Sequence, residues 1–151
     1  MRIYLDVSCL NRPFDDHRQL RVRLESEAVI SILERIEIGD WAQIASQISE
    51  IEVGAIQDVI RRRRVLRLLP HRSARIRLTK PLFGRAEELT NDGIKPADAL
   101  HVAAAETSGA DVFLTCDDRL LRRARQIKDR LRVVVENPVD WLKGMDHAPY
   151  A

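Results

Sequence analysis

The sequence predicts an α/β fold, a single parallel sheet with helices on both faces, and three observations predict it. Short apolar runs suited to buried strands alternate with segments of helical period along most of the chain. Carboxylates recur just past those runs, where sheets of this kind bind their ligands. The length of 151 residues, with 45% hydrophobic and 32% charged residues, suits one domain spanning 1–151 and is too apolar for a disordered chain.

Residues 2–6 (RIYLD) form a short apolar run ending in a carboxylate, which suits a buried first strand. Residues 7–16 carry Pro13 and the pair Asp15-Asp16, and read as a loop. From about 18 to 38, Leu20, Leu24, Ala28, Ile32 and Ile36 recur at helical spacing, and Gly39-Asp40 ends the helix. Residues 41–46 (WAQIAS) read as a second strand. Residues 47–69 read as one or two helices stopped by Pro70, and 74–79 (ARIRLT) as a strand or an extended loop. A helix over about 81–91 ends near Asp92-Gly93, and another starts at Pro96 and runs through alanines to about Ser108. A strand at 112–115, a helix at 118–127, a last strand at 131–135 and a short helix at 139–143 complete the chain.

Lys+Arg is 25 and Asp+Glu is 23, a net charge of +2, which excludes a polycation held to nucleic acid by bulk charge. Only Lys80, Lys95, Lys128 and Lys143 are lysines, so arginine, suited to bidentate phosphate contacts, dominates the basic side. No run of 18 apolar residues predicts a membrane span, and the N-terminus reads straight into a strand; a cytoplasmic protein is expected. Two cysteines, Cys9 and Cys116, make neither a disulfide framework nor a CxxC pair, and four scattered histidines do not suggest a zinc site.

The alternation places certain carboxylates together. Asp6 ends the first strand, and Asp117 follows the 112–115 strand and suits the N-cap of the next helix. The helix from Pro96 leads back to the amino edge of the sheet, so its start, with Asp98, lies at the carboxyl edge. Glu50 and Glu52 follow the second strand and fall at that edge too, although spacing alone does not choose between them. Two carboxylates about 5 Å apart repel by about 3 kcal/mol at an effective dielectric near 20. Such a cluster calls for protons, arginines or a cation, and an oxygen donor set favours magnesium or manganese. The chemistry this suggests is metal-assisted phosphodiester hydrolysis.

Each residue also has an ordinary reading. Asp6 can satisfy backbone amides in a turn; Asp98 and Asp117 can cap helices; Asp118 can be a spare ligand or a solvated helix-start residue. His101, three residues after Asp98, shares its helix face and reads as a packing or hydrogen-bonding residue. Cys9 and Cys116 read as small buried hydrophobes. The Arg61-Arg62-Arg63-Arg64 run reads as a solvated helix face with a phosphate contact as the alternative. Asn11 and Arg12, after the first strand, are placed to touch a substrate.

Four stretches carry a family resemblance. IYLDVSCLNRPFDD supplies Asp6 with Ser8 two residues later; SQISEIE supplies Ser46 and Glu52; GIKPADALHVAAAE supplies Asp98; ADVFLTCDDRLL supplies Thr115 and Asp117. In this order and spacing they resemble the PIN-domain proteins, of the kind found in VapC-type ribonuclease toxins, over nearly the whole chain. The resemblance implies a three-layer α/β/α sandwich, magnesium- or manganese-dependent endoribonuclease activity, inhibition by an antitoxin protein, and a homodimer. It also selects Glu52 over Glu50. The segment Asn11 to Asp16 and the extension after Asp140 depart from a compact toxin.

Together the two lines give an expected mechanism. Asp6, Asp98 and Asp117 hold the metal, with Asp6 as principal ligand, while Glu52 orients the attacking water. Ser8 and Thr115 hydrogen-bond the ligands, and Asn11, Arg12 and exposed arginines hold the RNA backbone. RNA binding should then show only a modest salt dependence. The competing expectations are a catalytically silent RNA- or protein-binding module, an RNA-processing nuclease outside a toxin system, and a receiver or phosphatase-like domain. The last is disfavoured because Asp6-Val7-Ser8 lacks a second Asp two residues on, and no lysine follows a late strand at a suitable edge position.

Overall fold

The computed structural model describes residues 1–146; residues 147–151, the end of the extension after Asp140, lie outside the described residues. Five strands, β1 (Arg2–Leu5), β2 (Ala42–Ser46), β3 (Arg75–Ile76), β4 (Val112–Leu114) and β5 (Val134–Glu136), pair in the order β3-β2-β1-β4-β5, and every pairing is parallel. The helices are α1 (Val7–Asn11), α2 (Leu20–Glu37), α3 (Gln47–Gly54), α4 (Val59–Leu66), α5 (Lys80–Asn91), α6 (Pro96–Thr107), α7 (Asp118–Gln126) and α8 (Pro138–Asp146). The result is the three-layer α/β/α sandwich the sequence predicts.

The strand period of two sorts β1 between the layers. Ile3 and Leu5 pack with Ala45, Val112 and Leu114 beneath Val29 and Ile32 of α2 and Val65 of α4. Tyr4 points the other way and packs with Ile44 and Phe113 against Leu82 and Leu89 of α5 and the small face of α6. Ala99, Ala103, Ala104 and Ala105 are fully buried, because short side chains let α6 lie close to both the sheet and α5. At about 1.5–3 kcal/mol for each large apolar side chain buried, the contacts of Ile3 and Leu5 hold β1 firmly in the middle of the molecule.

That position matters for function. Ile3 is in register with Gln43 on one side and Val112 on the other. Strand order reverses between β1 and β4, since the chain runs outward to β3 and then returns to β1's other side. At such a reversal the loops leave in opposite directions and open a crevice beyond the carboxyl ends of the two strands.

Several segments differ from the sequence expectation. Residues 7–16 are not a loop: they form α1 and a 3₁₀ turn over Arg12–Phe14 with Pro13 in its first turn, and Arg12 and Arg61 tie Asp15 down. Residues 47–69, expected as one or two helices, are in fact two, broken after Gly54 and restarted by Asp58, whose side chain accepts from the amides of Ile60 and Arg61. The 74–79 segment contributes only a two-residue strand, and the last strand begins at Val134 rather than at 131. The C-terminal helix is longer than expected and is anchored where Trp141 meets Trp41 edge-on at 5.1 Å, with Arg35 stacked over Trp41. No helix among the described residues is long and apolar enough to cross a membrane.

Candidate active site

Asp6 follows β1 at its carboxyl end and is held by backbone on both sides. Its amide donates to the carbonyl of Leu114 at 2.9 Å, and its carbonyl accepts from the amide of Cys9 at 2.9 Å. The side chain does not cap α1, which removes the turn-capping reading. Instead its Oδ2 accepts from Ser8 Oγ at 2.9 Å and from Thr115 Oγ1 at 2.7 Å. Both hydroxyls are polarised toward it, because each also accepts from a backbone amide: Ser8 from Cys116 and Thr115 from Asp117. One carboxylate oxygen is thereby fixed in a buried frame. The other, Oδ1, lies 4.0 Å from His101 Nε2.

Glu52 reaches the same place from α3. Its Oε1 accepts from His101 Nε2 at 2.9 Å, whereas Glu50 turns away to Arg75 at 3.0 Å. One helix residue of spacing decides this, since positions two apart point to different faces. His101 is fully buried, and its Nδ1 lies 2.7 Å from the Tyr4 hydroxyl, which contacts Ser46 and Ser49 in turn. Burial pushes the imidazole pKa down, but the hydrogen bond to Glu52 and the charges of Asp6, Glu52 and Asp98 outweigh it, and the net shift is upward. Burial likewise raises the Tyr4 hydroxyl well above its ordinary value. The pair forms a buried strut beneath Glu52 that holds its carboxylate at the crevice wall.

Asp98 sits in the first turn of α6 and Asp117 caps α7. Asp117 does perform the ordinary capping role, with Oδ1 accepting from the amides of Arg119 at 2.9 Å and Leu120 at 3.3 Å, and this leaves Oδ2 uncommitted. Among the described residues the Asp98 side chain makes no hydrogen bond and no ion pair. Its pKa is pushed up to about 6, first by burial and then by the charges of Asp6 and Asp117, with only His101 acting in the other direction among the strongest influences. The repulsion inferred from spacing is therefore present in the folded chain.

The donor chemistry fits a hard divalent cation. Ligand atoms of Asp6, Glu52 and His101 come within 4.8 Å of one another, a group that does not include Asp98 or Asp117. Both His101 nitrogens are already engaged, so the available donors are carboxylate oxygens: Asp6 Oδ1, Glu52, Asp98 and Asp117 Oδ2. Such a set suits magnesium or manganese rather than a softer metal.

The other sequence candidates are committed elsewhere. Asn11 donates to the Val7 carbonyl and accepts from Arg61, and Arg12 bonds Glu25 at 3.0 Å and Asp15 at 2.9 Å. Asp118 is paired with Arg21 rather than turned to the site. Of the arginine run, Arg61 and Arg62 point inward to Asp15 and to the Ile56 carbonyl, and Arg63 and Arg64 are exposed. Cys9 and Cys116 are buried with sulfurs 3.7 Å apart, and burial raises the Cys9 thiol pKa. Sequence reasoning missed the strut from His101 to Tyr4. The available signal was Tyr4 itself, a hydroxyl on the buried face of a strand.

A family model for the PIN domain matches residues 3–126. Among solved structures, the chain is similar to FitAcB from Neisseria gonorrhoeae, with 18% identity, a TM-score of 0.57, and 90% of this chain and 97% of that one covered. It is also similar to VapBC2 from Rickettsia felis bound to a DNA fragment from their promoter, with 15% identity, a TM-score of 0.58, and coverage of 91% and 98%. No curated protein matches it. At these identities the structural likeness speaks for the fold, and the family model covers most of the chain: the protein belongs to the PIN-domain family.

Proposed function

We propose that this protein is a divalent-metal-dependent endoribonuclease and the toxin of a toxin–antitoxin pair, acting in the cytoplasm as a homodimer. The observation that carries the nuclease reading is the group of acids at the reversal point of the sheet: Asp6 fixed by Ser8 and Thr115, Glu52 held by His101, and Asp98, whose pKa is raised to about 6 by burial and then by Asp6 and Asp117. The toxin reading is supported by the fold shared with FitAcB and VapBC2.

Asp6 Oδ1, Asp98 and Asp117 would hold the cation, and Ser8 and Thr115 keep Asp6 turned toward it. When bound, magnesium or manganese neutralises phosphate charge and lowers the pKa of water. Glu52, steadied by His101, would orient a water and accept its proton as the water attacks the RNA phosphate, the P–O bond opposite breaks, and the leaving oxygen takes a proton from solvent. A bound cation would supply Asp98 with opposite charge beyond that of His101.

The test is cleavage of single-stranded RNA with added manganese or magnesium, with and without chelator. Cleavage abolished by chelator and by Asp6→Asn is expected. Cleavage that survives both overturns the reading.

A further inference from the structure

We propose that Lys95, Arg119, Arg122 and Arg123 form a phosphate-binding subsite, adjoining Asp98, that holds the RNA backbone beside the scissile bond. The proposal rests on the nuclease reading and adds to it the surface that grips the substrate.

The subsite is a cavity of about 340 Å³ between the start of α6 and the outer face of α7, lined by Gly93, Lys95, Asp98, Arg119, Arg122 and Arg123. Positions 119, 122 and 123 recur at helical spacing, so α7 presents all three guanidinium groups on the side facing α6. All four cations are exposed, and among the described residues none has a carboxylate within 4.0 Å. Elsewhere in the chain Arg12, Arg21, Arg61 and Arg85 are each paired with a carboxylate.

Gly93 gives the arrangement a built feature. Its φ of +98 suits glycine, and a Cβ there would lie 2.9 Å from Arg123 Nε and 3.0 Å from Cζ. The absent side chain lets the Arg123 guanidinium lie flat on the loop between α5 and α6, at the cavity wall. The cations also do not serve to neutralise Asp98, whose strongest influences are burial, the other acids and His101. Four exposed cations gathered at one cavity beside the acids, and not engaged by them, are open to an anionic ligand. A phosphodiester chain entering the crevice brings one at each nucleotide, and arginine binds it in bidentate fashion. The acids would face the scissile group while the shelf takes a neighbouring phosphate.

The test is steady-state cleavage of a short labelled single-stranded RNA, with manganese, across a series of salt concentrations. The double variant Arg119→Ala/Arg123→Ala should raise KM roughly twentyfold near about 0.1 M salt, keep kcat within about twofold, and flatten the log–log salt dependence of kcat/KM by about 1.4, the slope expected of two lost single-strand contacts. Arg119→Lys/Arg123→Lys should keep most of the slope, because the charge remains. Arg132→Ala, at the opposite edge of the sheet, should change nothing. An unchanged KM and slope in the alanine variant, with the wild type cleaving RNA, overturns the subsite and leaves the nuclease reading intact. A wild type that cleaves no RNA with either metal overturns the nuclease reading, and the subsite with it.

Discussion

The two flanks of the crevice treat charge in opposite ways. On the side of α1, α2 and α4, the charges nearest the crevice are matched: Arg12 bonds Asp15 and the buried Glu25, Arg61 bonds Asp15, and Arg21 bonds Asp118. Glu25, only 1% exposed, also accepts from Asn137 at 2.6 Å. On the side of α6 and α7 a group of charges beside the crevice is left open: Asp98 is raised by burial and by Asp6 and Asp117, and Lys95, Arg119, Arg122 and Arg123 have no acid within ion-pair distance among the described residues. Matched charges inside a fold hold the segments that carry them. Open charges cost stability and are available to a ligand. The difference separates arginines that build the site from those available to work in it, a distinction invisible in a count of 25 basic against 23 acidic residues.

Breaking the open flank should cost activity first. Asp98→Asn is expected to lower kcat/KM for RNA cleavage by about a hundredfold or more, since even hydrogen-bond partners of metal ligands are worth about 10–100-fold. Ser8→Ala, which loosens Asp6 Oδ2, should fall within that smaller range, and single-turnover cleavage would show both. Breaking the matched flank should cost stability instead. Arg12→Ala leaves Glu25 with Asn137 and the longer contact to Arg21, and should lose about 1–3 kcal/mol in urea denaturation. Arg123→Ala should stay within about 0.5 kcal/mol of the wild type in the same experiment.

The smallest effect is a gain. Asp98 has a folded-state pKa raised from 3.8 to about 6, so its ionisation opposes folding above about pH 6. In metal-free protein, Asp98→Asn should therefore raise the melting temperature by a few degrees at pH 7.5. The gain should shrink as pH falls through 6 and vanish below about 4, where the carboxyl is protonated in both states. Asp6→Asn should not share this gain, because Ser8 and Thr115 donate to its ionised oxygen.

Most of the sheet and the convergence of the acids were legible because period and connectivity are local properties of the chain. Apolar strands between amphipathic helices fix parallel pairing, and parallel pairing fixes which ends meet. The arginines proposed to meet the substrate were not legible. Asn11 and Arg12 follow Asp6 closely in sequence, yet Arg12 is drawn to Glu25, thirteen residues on, and Asn11 to Arg61, fifty residues on. Those pairings depend on how α2 and α4 pack, which no local pattern reports. The short helix after β1 was missed for a related reason: tertiary clamps on Asp15 stabilise a segment whose own composition favours a turn. His101 was correctly read as a hydrogen-bonding residue, but its partners Glu52 and Tyr4 come from two other elements.

Asp6, Glu52, Asp98 and Asp117 are proposed to form one oxygen donor set for a divalent cation. The most direct measurement is a calorimetric titration of manganese onto the metal-free protein, with the melting temperature followed in parallel. Saturable binding that raises the melting temperature as the logarithm of free manganese, and that is lost in Asp6→Asn, is the predicted result. A folded wild-type protein that neither binds manganese nor gains stability from it would contradict the claim.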